Sequence, residues 1–434
     1  MTPEEEKTLE RFPTENMEAY ELFTKGRLLN DQKSKQDLEL SIDLFEQAIL
    51  LDPNFSEAYA ETAKSYFKLK DWPGTDGIKM AKEYIAKSLK VDPNTAIAYA
   101  IRGHIYVYEQ NWNVSKENFE KASSLGPNDE MIHNLYATYF AKKPIPDQKM
   151  RLYQIRIARR IDPLDSEILE NLILALMYNG KLEEAENNLN ELGFLLSFQV
   201  KTNLEIKLEV FKAKDWTAEI RYWEREIEKD SNDYNAYAGL SKSYDVILND
   251  KVNKLKYAKI AYELNPTRPI LTDEYYMALL DNKKFNTAKE LFQTKSYREL
   301  PDKDRLVNLW SYYYEQENFE KSEEILNDSL AGLNHYFYYK ILNYSQLGDS
   351  LKVDQFLSDY YFLYGKMDWI YHDMAIAHAI LREEDSMYHY LEKLRPIDEF
   401  LKVNGRRDFD PYRKDERFKA LLKKHYLPIT HWNE

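Results

Sequence analysis

The sequence predicts an all-α chain of about eleven stacked helix pairs, wound as a right-handed superhelical solenoid with a C-terminal capping element. Three observations carry this expectation: a recurring helix-ending phrase, a fixed pattern inside each period, and a composition rich in helix formers. The phrases AILLDPN (48–54), SLKVDPN (88–94), ASSLGPN (122–128), ARRIDPL (158–164) and AYELNPT (261–267) each close an amphipathic run with Asp, Gly or Asn before Pro. Their prolines, at 53, 93, 127, 163 and 266, are 40, 34, 36 and 103 residues apart, and 103 is close to three units of 34. Proline lacks the N–H a helix needs and disfavours helix in the residue before it, so each one marks the end of a unit.

The unit from Ala96 through Asn128 shows the inner pattern. Tyr99, Gly103 and Tyr106 take large, small and large positions on a first helix; Trp112, Ser115, Phe119 and Ala122 follow on a second, and Pro127 ends it. A small residue at the crossing (Ala63, Gly103, Ala137 or Ser241) lets two helices approach, and large residues one turn away fill the groove between them. Carried along the chain, the pattern starts first helices near Met17, Ser56, Ala96, Glu130, Ser166, Val200, Tyr234, Pro269, Lys303, Asn334 and Trp369. DQKSKQ (31–36) and DWPGTDGI (71–78) lengthen the turn inside a pair, and KKPIPDQ (142–148), with two prolines, is not helical throughout. The expected organisation is a joint at 1–16, one continuous solenoid over 17–396 and a capping segment at 397–434. A flexing point is expected at 192–202, where the proline signal is lost.

Composition agrees. Hydrophobic residues make up 44% and charged ones 31%, as stacked amphipathic helices require. With 60 Lys and Arg against 74 Asp and Glu, the net charge of −14 repels phosphate backbones and argues against nucleic acid as a partner. The absence of cysteine excludes disulfides, thiolate metal sites and a cysteine nucleophile. No phosphate-binding glycine loop occurs, and no apolar run reaches the roughly 18 residues of a membrane span.

Over nearly its whole length the pattern resembles tetratricopeptide repeats. The two ends resemble something narrower. PTENMEAYELFTKGRLL (13–29) is similar to the opening of repeat regions in bacterial multidomain regulators, and TPEEEKTLER (2–11) to the joint before them. DFDPYRKDERFKALLKK (408–424) resembles the element that ends such arrays. In those regulators the repeats follow a small αβ domain similar to the N-terminal domain of TolB, preceded by a membrane helix. The cytoplasmic head is a nucleotide cyclase or a DNA-binding domain like that of CadC. The resemblance implies a C-terminal sensory or interaction region, periplasmic if anchored in that way and cytoplasmic otherwise.

Chemistry finds no foothold in the residues. None of the eight histidines (His104, His133, His335, His372, His378, His389, His425, His431) forms an HExxH or other i, i+4 ligand pair. The acidic pairs Glu183–Glu184, Glu323–Glu324 and Glu383–Glu384 are expected at the starts of second helices, where the helix dipole favours them. No nucleophile elbow appears. The expectation is no enzyme, no cofactor and no metal.

Binding remains, with a protein or peptide as partner. First helices of such an array line its concave face. On that face the spacing projects Ala60 and Lys64, His104 and Tyr108, Asn134 and Thr138, and Lys242 and Asp245. Lys64, His104, Tyr108 and Asn134 are the candidate partner-binding residues there, since cations and amides hold peptide carboxylates and backbone. A second candidate is aromatic. WSYYY (310–314), HYFYYK (335–340) and DYYFLYGKMDWIY (359–371) hold more rings than packing needs. Tyr313, Tyr338, Tyr361 and Trp369 are expected to form a partner-binding or self-association patch. From Lys402 to Lys424, nine Lys or Arg face four acids, a basic segment suited to the acidic body of the array, an anionic partner or a polar cap. The alternatives to a regulator's interaction region are a receptor closing around a small ligand or peptide in an aromatic-rich groove, and a stand-alone adaptor in envelope assembly or secretion.

Overall fold

The computed structural model describes residues 13–30, 34–71, 76–328, 336–364, 370–394 and 399–429. Among them every regular element is helical. The chain divides into two compact units, Met1–Leu204 and Glu205–Glu434.

In the first unit α1 (Met17–Asn30) packs against α2 (Lys35–Leu51), α3 (Ser56–Lys68) against α4 (Gly77–Val91), and α5 (Ala96–Tyr108) against α6 (Trp112–Leu125). The pairs α7 (Glu130–Lys142) with α8 (Gln148–Ile161) and α9 (Ser166–Tyr178) with α10 (Leu182–Leu192) complete it. A short 3₁₀ turn, Gly193–Leu195, follows, and the division between units falls inside α11 (Phe198–Ala213).

The second unit continues in the same way. Its pairs are α11 with α12 (Thr217–Lys229), α13 (Tyr234–Leu248) with α14 (Lys251–Leu264), and α15 (Pro269–Asp281) with α16 (Phe285–Leu291). After the single turn α17 (Lys295–Arg298) come α18 (Asp302–Glu315) with α19 (Phe319–Asp328), α20 (Tyr336–Leu347) with α21 (Ser350–Tyr364), and α22 (Ile370–Leu381) with α23 (Glu384–Leu391). The first helices expected from sequence are all present, each beginning within two residues of its expected start. These are helix pairs of the tetratricopeptide type.

Local chemistry explains the phrases that end each pair. In DPN and DPL the Asp is the helix C-cap: Asp52, Asp92 and Asp162 donate their N–H to Ala48, Ser88 and Ala158 carbonyls. Each carboxylate then accepts the N–H two residues on (Asn54 2.9 Å, Asn94 2.9 Å, Leu164 3.0 Å). This side-chain turn carries the chain around the Pro. The crossing inside a pair depends on small residues. A Cβ on Gly103 would lie 3.1 Å from the Phe119 ring, and one on Gly239 would lie 2.3 Å from Trp223 Cε2.

The acidic pairs are only partly where the sequence put them. Glu183 and Glu184 occupy the first turn of α10, and Glu383 and Glu384 begin α23. Glu323 and Glu324 instead lie in the middle of α19, whose first-turn acid is Glu320; Glu323 accepts a hydrogen bond from the Tyr344 hydroxyl there.

The C-terminal segment does more than cover the last pair. The helix α24 (Glu399–Asn404), a 3₁₀ stretch (Arg407–Tyr412) and the helix α25 (Glu416–Lys424) run from α22 and α23 back to the beginning of the second unit. Asn404 Nδ2 donates to the Val246 and Ile247 carbonyls at the end of α13 (2.9 and 3.0 Å). Trp216, in the turn between α11 and α12, donates its indole N–H to the His425 carbonyl (2.9 Å) and its backbone N–H to the Tyr426 carbonyl (3.0 Å). The Tyr412 hydroxyl donates to the Ala379 carbonyl on α22 (2.8 Å). Phe400, Phe409, Phe418 and Leu422 are fully buried in one apolar cluster with Trp310, Leu342 and Ile376 of the first helices α18, α20 and α22.

Candidate partner-binding surface

In the first unit α3, α5 and α7 lie side by side, with α1 and α9 flanking the row. Their side chains meet along one face. Glu61, almost wholly buried on α3, accepts from Asn30 Nδ2 of α1 (3.3 Å) and lies 3.4 Å from Lys64 Nζ and 3.9 Å from Arg27 Nε. Lys68 Nζ donates to the Asn30 carbonyl (2.8 Å). One turn along, Phe67 is met edge-on by His104 (5.1 Å between ring centres) and Tyr108 (5.9 Å), both from α5. Lys70 Nζ sits over the rings of Phe67 and Tyr108, at 5.0 and 5.2 Å. Beyond them Asn134 of α7 donates its Nδ2 to Glu167 (3.2 Å), and its side-chain Oδ1 accepts from Asn171 Nδ2 of α9 (2.9 Å).

Electrostatics ties these pieces together. Burial pushes the His104 imidazole down to about 4, with Lys70, Lys142 and Lys68 acting in the same direction and Glu167 opposing. His104 is therefore neutral at pH 7. The Asp129 carboxyl, at the N-cap of α7, is raised chiefly by burial; its hydrogen bond from the Ile132 N–H lowers it, Glu61 raises it and Arg27 lowers it. Groups from α1, α3 and α7 thus feel one another across this face.

The four residues proposed from sequence for the concave face fall on three adjacent helices of this row. Lys64 is paired with Glu61, His104 and Tyr108 enclose Phe67, and Asn134 is engaged with Glu167 and Asn171. Ala60, named with them, is fully buried and does not project. Lys242 is exposed, whereas Asp245 is held by Lys251 and by Lys254 (2.7 Å). Sequence reasoning missed Glu61, Phe67, Lys68, Lys70 and Asn171. Phe67 and Lys68 follow Lys64 by three and four residues on the same helix, and that spacing was the available signal. Lys70 lies past the end of α3 in a 3₁₀ turn, which a helical spacing rule does not reach.

The aromatic clusters divide between core and surface. The Trp310 ring is buried, stacked on Tyr314 (4.7 Å) and tilted against Tyr339 (4.6 Å). Tyr344 and Tyr360 are buried as well, and the Tyr360 hydroxyl donates to Asp373. These rings build the core of the second unit and are not surface. Tyr313 is partly buried with Lys321 Nζ over its ring at 5.1 Å, and Tyr361 is 50% exposed. The Tyr338 side chain and Trp369 lie outside the described residues. Among the described residues no group of three or more His, Asp or Glu side chains is placed to hold a metal ion, and no helix is long and apolar enough to cross a membrane.

No family model matches the chain, and no curated protein matches it. Solved structures similar to it include YrrB, described as a TPR protein with an unusual peptide-binding site, at 18% identity over 55% of this chain and 97% of that one (TM-score 0.27). Yeast Tom70 is 14% identical over 94% of this chain and 98% of that one (TM-score 0.34). Cut9 with Hcn1, from an APC/C hetero-tetramer, is 12% identical over 92% and 95% (TM-score 0.33). The tetratricopeptide-type fold of the chain rests on the helix pairs themselves.

Proposed function

We propose that this chain is a non-enzymatic scaffold that takes an extended segment of a partner protein across the first unit, on the face formed by α1, α3, α5, α7 and α9. The observation that carries the reading is the convergence of Lys64, His104, Tyr108 and Asn134 beside Phe67, Lys68 and Lys70. Amide, cationic and aromatic groups on parallel helices suit a peptide backbone with alternating polar and apolar side chains. A panel of displayed peptides selected on the full chain supplies ligands for calorimetry. Tyr108→Ala and Asn134→Ala should each weaken the selected peptides by about tenfold or more, the size of a hot-spot loss of about 1.4 kcal/mol. Peptides that bind both variants as tightly as the parent chain would place recognition elsewhere.

The wider setting favoured by the two terminal stretches is the interaction region of a bacterial signalling or transcription regulator. Support for it is the likeness of residues 13–29 and 408–424 to the ends of such repeat regions. The genomic reading frame ahead of Met1 tests it: an αβ domain and an apolar span upstream support it, and an in-frame stop codon next to a ribosome-binding site counts against it.

A further inference from the structure

We infer that residues 399–427 are the resident occupant of the inner side of the second unit and exclude any other segment from it. This rests on the scaffold reading above and narrows it, because it leaves the first unit as the half that receives a partner. The first argument comes from equivalent positions. Residues with positive φ mark the turn inside eight of the pairs: Gln110, Gly180, Lys214, Asn249, Lys283, Glu317, Gly348 and Arg382. His104 stands six residues ahead of Gln110, on the face shared by α3, α5 and α7, and is partly exposed. In the second unit the residues six ahead of Glu317, Gly348 and Arg382 are Ser311, Leu342 and Ile376, and all three are buried. Leu342 and Ile376 share their cluster with Phe400, Phe409, Phe418 and Leu422 of the segment. The side that is only partly covered at His104 in the first unit is filled at α20 and α22 by the chain's own C-terminal residues.

The second argument is the quality of the seat. Arg413 is 3% exposed, yet every part of its guanidinium is used: Nε to Asp410 (2.7 Å), Nη1 to the Asn404 side chain (3.0 Å), and Nη2 to the Asn404 and Arg406 carbonyls (2.6 and 3.0 Å). Asn404 in turn holds α13, and Asn249 Nδ2 donates to Asp410 (3.2 Å). Gly405 lies so close to the α13 backbone that a Cβ there would meet the Asp245 carbonyl oxygen at 3.2 Å. A charge is buried in this way only where its partners are fixed, since loss of one leaves the other unpaired.

The third argument is the tether. Leu394, buried at the end of the last pair, and Phe400 belong to one cluster, so the segment is held at an effective concentration on the order of millimolar by a short connection. A competing peptide at micromolar concentration therefore faces a disadvantage of about a thousandfold before any difference in contacts.

Two measurements on the full chain test the inference. A dye-labelled peptide of residues 399–427, titrated into the intact protein up to about 100 times the protein concentration, should show no saturable binding; micromolar binding would mean the segment exchanges and would overturn the inference. Native-state hydrogen exchange with increasing denaturant should show 416–427 opening together with α13 and α22. Opening of 416–427 at lower free energy, with α13 still protected, would make the segment a displaceable strap and overturn the inference as well. Neither readout depends on a partner for the first unit, so failure of the scaffold reading and failure of this inference are separately visible.

Discussion

At the scale of single residues, the turn inside eight of the pairs is set by one backbone conformation. Gln110, Lys214, Asn249, Lys283, Glu317 and Arg382 adopt φ between 52° and 61°, the left-handed region where a Cβ is crowded. The residue after each closes the turn with a long bond back to the first helix, as in Asn111 N–H to the Tyr106 carbonyl (2.8 Å) and Asn318 N–H to the Tyr313 carbonyl (2.9 Å). Among the described residues, Gly180 and Gly348 fill this place with glycine. Glu317 is exposed, so Glu317→Gly should raise the free energy of unfolding by about 1 kcal/mol, whereas Gly180→Ala, with open space around it, should lower it by about 1 kcal/mol through backbone strain alone. Urea midpoints of the two variants check the pair, and shifts of the same sign would defeat the argument. His104 makes a pH-dependent prediction. Its folded pKa of about 4 lies below the ordinary 6.5, so between these values the unfolded chain binds the extra proton. The stability it contributes is full above about pH 6.5, falls as pH drops toward 4 and changes no further below that. From pH 7 to 4.5 the parent chain should lose about 2 kcal/mol more than His104→Gln, a comparison in which the raised Asp129 and Glu130 cancel.

At the scale of elements, the helix pairs were legible because their signals are local. Asp before Pro is at once a helix C-cap and a side-chain turn, and small residues at crossings are demanded by neighbours a few residues away. Gly239 is a strict case: the Trp223 ring would be 2.3 Å from an added Cβ, and an indole cannot flex aside. Gly239→Ala should therefore destabilise by about 1–3 kcal/mol despite the better helix propensity of Ala, and thermal melting of the variant decides it. The candidate face was legible only in part. Lys64, His104, Tyr108 and Asn134 follow from helical spacing, but their pairing with Glu61, Phe67 and Glu167 depends on which helices become neighbours. How the aromatic clusters divide between core and surface depends on the same thing: Trp310 and Tyr360 are buried, whereas Tyr361 is 50% exposed. WSYYY looks excessive for a two-helix unit, and nothing within the repeat says that a segment a hundred residues later comes back to cover Trp310. Burial also moves these groups chemically: the Tyr276 and Tyr314 hydroxyls are pushed far above the ordinary tyrosine range, mainly by desolvation.

At the scale of the whole molecule, the two units differ in how their repeats are coupled. In a linear array each pair touches its neighbours, so stability is a sum of unit and interface terms and the ends fray first. The first unit is of this kind among its described residues, α1 packing on α2 and α3 and each later pair on the next. The second unit is tied end to end, because Trp216 near its start bonds to His425 and Tyr426 near its finish. Damage at the finish should therefore be felt at the start. Phe418, fully buried against Phe400 and Phe409, provides the test; Phe418→Ala should cost about 3–5 kcal/mol through lost contact and the cavity left behind. In a tied ring of repeats, amides of α12 beside Trp216 should lose protection against hydrogen exchange about as much as those of α22, while those of α5 and α6 keep theirs. In an untied array the loss would stop at α22 and α23. Hydrogen-exchange mass spectrometry on the variant separates the two outcomes, since α12 lies some two hundred residues from the substitution yet shares its apolar cluster.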